Sequence, residues 1–396
     1  MNLYKLPLLS ASALALLVSC ASSESKSDLT ASGLDPNNFV ADVNGKTTAL
    51  YQLKNANGME VCITNFGGRI VSIMAPDRDG NFKDVVLGFD SIADYINIPS
   101  DFGAAIGRYA NRIDHGRLII DGDTTWLPTN NIANPAYRND TINEKPFVHH
   151  LHGGPTGWQY QVYDVKEVND SSITLVMNSP DGDNNFPGNL TAEVTYTLTA
   201  DNAVNIAYKA TTDKPTVINM TNHSYFNLNG DPQQPITNCI LQVNASEFTP
   251  VDSTFMTTGE IVSVKETPFD FTQTKAVGEE IDVDNVQVKN GNGYDHNWVL
   301  DTKRDLTQVA AELASPVTGI TLTVYTDEPG IQVYTGNFLD GTVTGKNGNV
   351  YNKRAAICLE TQHYPDSPNK PQWPSVVLRP GETYTSNCIY KFGTQK

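Results

Sequence analysis

Apolar and polar positions alternate along much of this chain. Ile173-Thr174-Leu175-Val176-Met177, Glu193-Val194-Thr195-Tyr196-Thr197-Leu198, Val204-Asn205-Ile206-Ala207-Tyr208 and Thr321-Leu322-Thr323-Val324-Tyr325 are rich in β-branched and aromatic residues at a period of two. That period marks half-buried strands. Short turns such as Ala200-Asp201-Asn202-Ala203 separate neighbours, and Asp79-Gly80, Asp121-Gly122, Asn229-Gly230, Asp340-Gly341 and Asn347-Gly348 punctuate the rest. Helical periodicity rarely lasts two turns, and residues 306–313 are the best short candidate. No repeat of fixed period and no internal linker interrupts the pattern, which predicts an all-β, antiparallel protein of packed sheets in one domain.

The first residues follow a different pattern. One charged side chain, Lys5, precedes an apolar run over 8–18, too short to cross a bilayer as a helix, that reads as a secretory signal peptide. The run ends Leu17-Val18-Ser19-Cys20, which resembles the lipobox of bacterial lipoproteins, where the Cys becomes the acylated amino terminus. The Ser-rich stretch behind it has too little apolar content to fold. The expected organisation is a signal peptide (1–19), a lipid-anchored Cys20 with a flexible tether (20–38) and one domain (39–396). Membrane contact is expected through the lipid alone, with the domain in the cell envelope on the periplasmic side or the outer surface.

Charge narrows the partners. The chain has a formal net charge of −17 and no block of basic residues, which argues against nucleic acid, because phosphate binding needs clustered Lys and Arg. A neutral, hydroxyl-rich ligand suits the balance. Beyond Cys20 stand Cys62, Cys239, Cys358 and Cys388, scattered and mostly within apolar runs. Buried free thiols are expected in preference to disulfides.

Candidate chemistry gathers in three clusters. In His149-His150-Leu151-His152-Gly153-Gly154, a strand would put His150 and His152 on one face and bring zinc to mind. A third ligand and an open position would be needed and nothing else in the sequence demands them, so a substrate-facing His152 is the preferred reading. In Met220-Thr221-Asn222-His223-Ser224-Tyr225-Phe226-Asn227-Leu228, His223 lies between apolar positions, where a hydrogen-bonded core histidine is the plainer reading. In Ile357-Cys358-Leu359-Glu360-Thr361-Gln362-His363, Glu360 terminates an apolar strand run, and burial would raise its pKa towards the range of a general base. A His and a Glu make an acid/base pair without any metal. No Gly-x-Ser-x-Gly occurs, and Ser224 directly follows His223, which argues against a serine hydrolase. Asn290-Gly291-Asn292-Gly293 reads as a turn, not a phosphate cradle. Asp181-Gly182-Asp183-Asn184-Asn185 offers oxygen ligands to Ca²⁺, although Asp-Gly turns are far commoner than calcium sites.

Taken in order, these clusters resemble the galactose mutarotase (aldose 1-epimerase) family. The resemblance runs from Tyr51 to the C-terminus. It covers Asn65-Phe66-Gly67-Gly68-Arg69-Ile70, Val85-Val86-Leu87-Gly88-Phe89 and the specific Gly107-Arg108-Tyr109-Ala110-Asn111-Arg112-Ile113. Leu151-His152-Gly153-Gly154, Asn222-His223-Ser224-Tyr225-Phe226-Asn227-Leu228 and Tyr294-Asp295-His296-Asn297-Trp298 follow, and then Gly330-Ile331-Gln332-Val333-Tyr334-Thr335 and Leu359-Glu360-Thr361-Gln362. The resemblance implies a large antiparallel β-sandwich of the mutarotase type, whose concave face binds a monosaccharide. It implies that Glu360 is the general base and His223 the general acid of ring opening, and that Asn111, Arg112, His152, Asp295 and Gln332 surround the sugar hydroxyls. Trp298 and Phe338 are candidates to stack on the sugar or to sit in the core. No cofactor or metal is required, and a monomer is expected.

Two features depart from the family pattern. Residues 132–148 form an expanded loop beside the expected pocket, and the lipoprotein amino terminus differs from the cytoplasmic location of many mutarotases. Rival readings are a non-catalytic carbohydrate-binding protein on the same scaffold, a hexose-phosphate epimerase relative and a polysaccharide lyase or hydrolase. The first predicts loss of His223 or Glu360, both of which are present. The second wants extra basic residues, and the third a longer cleft.

Overall fold

A computed structural model describes residues 29–132 and 147–395. The expected signal peptide, Cys20, the start of the expected tether and most of the expanded loop lie outside the described residues.

The alternating segments become strands with near-coincident bounds: Ser172–Ser179, Leu190–Leu198, Ala203–Thr212 and Ile320–Thr326. They belong to a nine-stranded antiparallel sheet that runs from Asp164–Val168 at one edge to Lys275–Ala276 at the other. The last strand, Tyr384–Thr394, lies inside that sheet, paired to Ala203–Thr212 on one side and Ile320–Thr326 on the other. In Leu190–Leu198 every second residue is buried, because one face meets the core while the other meets solvent.

Two smaller sheets close over the buried face. One holds four strands, among them Glu60–Thr64 and Arg69–Pro76. The other holds five, with Asp295–Val299, Gly330–Tyr334 and Cys358–Gln362 adjacent. A single apolar cluster joins all three sheets, with Leu175, Tyr196 and Val324 from the long sheet, Val61 and Ile73 from the four-stranded one, and Trp298, Val333 and Leu359 from the five-stranded one. The strands Gly330–Tyr334 and Cys358–Gln362 are buried at every position. One set of side chains, such as Val333 and Leu359, faces this core, which leaves Gln332 and Glu360 for the opposite face. The architecture is the all-β antiparallel sandwich expected.

Three expectations change. Residues 306–313 do not form a helix: Val309–Ala314 is a strand paired to Ile320–Thr326 and Ile240–Val243. Ladder pairing and burial of Ala310, Ala311 and Leu313 override the local helical preference. The tether ends earlier than residue 38. Leu34 is 2% exposed, Ala31 N–H donates to Glu60 Oε1 at 2.7 Å, and Ser32 Oγ donates to Ser72 Oγ, so this short stretch finds partners on the four-stranded sheet. Asn290-Gly291-Asn292-Gly293 is the end of a short helix, Val286–Gly291, closed by Asn292 in the left-handed conformation. The four cysteines Cys62, Cys239, Cys358 and Cys388 are buried and free, as expected.

Candidate active site

A cavity of about 550 Å³ opens on the face of the five-stranded sheet that carries Glu360. Its wall includes Asn111, Arg112, His152, His223, Asp295, Phe338 and Glu360. Residues from six separate places in the chain thus meet, because the sheets and the loops over them converge there.

Glu360 and His223 come from different elements. Glu360 sits mid-strand in Cys358–Gln362, 2% exposed, with Oε2 making no hydrogen bond. His223 ends the short strand Thr221–His223, which pairs with Ala104–Ile106 and is held there by Asn222 Nδ2–H donating to Gly103 O at 2.9 Å. The His223 Nε2 to Glu360 Oε1 distance is 3.6 Å. Tyr225 stacks on the imidazole at 5.0 Å, and the His152 ring meets it edge-on at 5.1 Å. Burial pushes the Glu360 carboxyl well above its ordinary range, and the charges of Asp295 and Asp101 add to this while Arg112 opposes it. Burial moves His223 the other way, below the ordinary imidazole value, against the pull of Asp101. The two groups are therefore driven towards each other in proton affinity.

His152 is fixed by a reciprocal pair of bonds. Its backbone N–H donates to Asn111 O, and Asn111 N–H donates to His152 Nδ1, both at 3.1 Å. Both residues have positive φ, near 62° for Asn111 and 50° for His152. Because Nδ1 accepts a hydrogen bond, the proton of the neutral ring resides on Nε2, which becomes a donor. Burial keeps this ring neutral, well below the ordinary value, with His223 and Arg112 adding to the effect.

Arg112 is the hub of the polar wall. Its Nε–H donates to Asn131 Oδ1 at 2.7 Å, its Nη2–H to Asp295 Oδ2 at 3.3 Å, and its guanidinium lies 5.0 Å from the centre of the Phe255 ring. Asp295 accepts a second bond, from Gln332 Nε2–H at 2.7 Å. Gln332 lies directly opposite Glu360 across the ladder, and its bond to Asp295 places it beside the polar wall.

The structure separates the two aromatic candidates. Trp298 is fully buried in the core, its indole N–H donating to Phe269 O at 3.0 Å. Phe338 is 41% exposed at the cavity, parallel to Tyr334 at 6.2 Å. The zinc reading of His150 and His152 fails on direction. The strand Phe147–Leu151 ends before His152, whose left-handed backbone breaks the alternation, while His150 Nδ1–H donates to Pro128 O at 2.7 Å. In the Asp181–Asn185 loop, Asp181 accepts from Lys214 Nζ and Gly188 N–H, and Asp183 accepts from Ser179 Oγ–H. These carboxylates already have partners.

Sequence reasoning missed Asp101, one of whose carboxylate oxygens lies within 4.8 Å of a ring nitrogen of His152 and of His223. No local motif marks it. The signal lies in Arg69, within Asn65-Phe66-Gly67-Gly68-Arg69-Ile70. Its guanidinium donates to Phe102 O, Ser100 O and Gln159 O, holding the loop that carries Asp101.

The chain matches the family model described as aldose 1-epimerase over residues 49–391. It is 39% identical over 350 residues to the aldose 1-epimerase of Escherichia coli K12, covering 88% of this chain and 96% of that one. It is 38% identical over 348 residues to the galactose mutarotase of Mus musculus, covering 88% and 95%. Among solved structures, the aldose epimerase homologue from C. elegans superposes with a TM-score of 0.78 at 31% identity, covering 88% of this chain and all of that one.

Proposed function

This chain belongs to the aldose 1-epimerase family and is an isomerase that interconverts the α and β anomers of aldoses, and we propose that Glu360 and His223 are the base and acid with which it does so. The observation that carries this reading is the 3.6 Å approach of His223 Nε2 to Glu360 Oε1 at the wall of the sugar-sized cavity. The two oxygens of a hemiacetal share one carbon, so an acid and a base that serve them must be close neighbours.

In this mechanism the Glu360 carboxylate removes the proton from the anomeric hydroxyl while protonated His223 gives one to the ring oxygen. The C1–O5 bond breaks to the aldehyde, rotation about C1–C2 presents the other carbonyl face, and reclosure with the roles reversed gives the other anomer. The pair holds one proton throughout: on His223 when the ring is closed, on Glu360 when it is open. An isomerisation that must run both ways works best when those two states are close in energy. Burial supports this by raising Glu360 and lowering His223. Each group is worth roughly 10²–10⁴-fold in rate.

Arg112 and Asp295 offer a planar donor and an acceptor to neighbouring sugar hydroxyls. Asn111, whose Oδ1 accepts from Arg112 N–H at 3.0 Å, contributes its amide donor, and Phe338 covers a C–H face of the ring. Proton transfer at a hemiacetal needs no cofactor, and no role is assigned to Ca²⁺. Cys20 carries the lipid that anchors a monomeric enzyme to the cell envelope, supported by Leu17-Val18-Ser19-Cys20. Fractionation that places the protein in the cytosol overturns the anchor.

The chemistry is tested by following the optical rotation of fresh α-D-glucose and α-D-galactose with the soluble protein from Ala21 onward. Acceleration that Glu360→Gln and His223→Asn both abolish supports the acid/base pair. Sugar binding without acceleration overturns it in favour of a carbohydrate-binding protein.

A further inference from the structure

Resting on the placement of the sugar given above, we propose that Asp101 and His152 together grip the exocyclic 6-hydroxyl of a hexose, making Asp101 a specificity-determining residue of this enzyme. One oxygen of the Asp101 carboxylate and one ring nitrogen each of His152 and His223 lie within 4.8 Å of one another. Among the described residues no direct hydrogen bond joins Asp101 to either ring, and Asp101 Oδ1 is buried without a partner. A donor and an acceptor at such a separation are bridged by one oxygen with two hydrogen bonds of about 2.8 Å. His152 supplies the donor, since Asn111 N–H occupies its Nδ1 and leaves the proton on Nε2. Asp101 supplies the acceptor. A hydroxyl, which both accepts and donates, completes the pair; an ether oxygen or a methyl group does not.

Connectivity of the sugar says which hydroxyl this is. With O1 at Glu360 and O5 at His223, the next ring atom beyond O5 is C5. Its hydroxymethyl substituent therefore leaves the ring on the side of His223 away from Glu360. Glu360 approaches His223 to 3.6 Å but stands outside the group formed by Asp101, His152 and His223. Asp101 and His152 thus occupy the flank of the imidazole where the 6-hydroxyl arrives.

The position of Asp101 is built rigidly from both directions. Arg69 Nη1–H donates to Phe102 O at 2.8 Å and Nη2–H to Ser100 O at 2.9 Å, clamping the residues on either side. Gly103 N–H donates to His223 O at 3.0 Å, tying the same loop to the strand of the acid. Gly103 has φ near 69°, and a Cβ there would stand 1.9 Å from Ile70 O, so only glycine permits this close approach. A site held this way can discriminate by a single hydroxyl.

The test compares D-glucose with 6-deoxy-D-glucose and D-xylose by polarimetry, in the soluble protein from Ala21 onward and in its Asp101→Ala and Asp101→Asn variants. The native enzyme is expected to favour glucose over both analogues in kcat/KM by about tenfold or more, the scale of one hydrogen bond to a charged group. Both variants are expected to collapse that ratio towards one. An active native enzyme with no preference, or a ratio that Asp101→Ala leaves intact while the pH profile of every sugar shifts alike, overturns this inference alone and makes Asp101 a partner of His223 only. A native enzyme that speeds no aldose overturns the mechanism on which the inference rests.

Discussion

Replacing Glu360 by Gln should abolish activity and stabilise the protein at the same time. The substitution keeps the shape of a side chain that is 2% exposed and removes only its ability to ionise. Losing the general base lowers kcat by roughly 10²–10⁴-fold, which is about 3–5 kcal/mol of barrier, with His223 and the binding residues left in place. Stability moves the other way. The folded carboxyl titrates well above its ordinary range because it is buried beside Asp295 and Asp101. Between the unfolded and folded pKa values the native state binds more protons than the unfolded one, so stability falls as pH rises through that interval. Below the unfolded value, about pH 4, both states are protonated and the native residue carries no penalty. Gln removes the penalty, so its advantage is absent near pH 4 and grows on passing to pH 7. Relief of one destabilised active-site group is worth about 0.5–2 kcal/mol, or a few degrees in Tm. His223 is lowered by burial and contributes with the opposite sign, but it is present in both proteins and cancels to first order. The assay is a pair of thermal melts at pH 4.5 and 7.5 beside polarimetric kcat. A variant less stable than the native protein at pH 7.5, or one retaining a tenth of the activity, refutes the assignment of a destabilised base.

The pH profile of kcat/KM should be bell-shaped, because two protons on the Glu360–His223 pair leave no base and none leaves no acid; a profile flat from pH 4 to 9 counts against the pair. Asp295→Asn should cost about 3–5 kcal/mol of stability, through the uncompensated buried charge of Arg112, and raise KM, both read from melts and initial rates. Phe338→Ala should raise KM several-fold with Tm nearly unchanged, since the ring is at the cavity mouth. Trp298→Ala should lower stability by about 3–5 kcal/mol at a fully buried position; an equal effect of the two substitutions on KM alone would refute the division between them.

Much of this protein was legible in short stretches of sequence. Strands such as Leu190–Leu198 are specified by alternation alone, since one face must leave water, and a period of two admits no other regular structure. Glu360, His223 and Arg112 were singled out by the resemblance of the motifs that hold them, since His223 read by itself passes for a core histidine; local backbone demands show in such motifs, as with the left-handed Asn111 before Arg112. Burial of the four cysteines followed from the apolar runs around them.

Tertiary structure decided what depends on partners distant in the chain. Residues 309–314 are a strand because Ile320–Thr326 and Ile240–Val243 offer ladders on both sides, which local propensity does not register. Read along the chain, Trp298 and Phe338 are alike as large aromatics beside polar residues; the fold sends one into the core and leaves the other at the cavity. Gln332 supports Asp295 and Asp101 faces His152 because register and the Arg69 clamp put them there. Sequence by itself determined which residues could perform acid/base chemistry on a sugar, since that is a property of side chains and their immediate backbone. Only the fold decided their distances, their shared burial and hence their proton affinities, because desolvation and electrostatic coupling arise from groups hundreds of residues apart brought into one low-dielectric cavity.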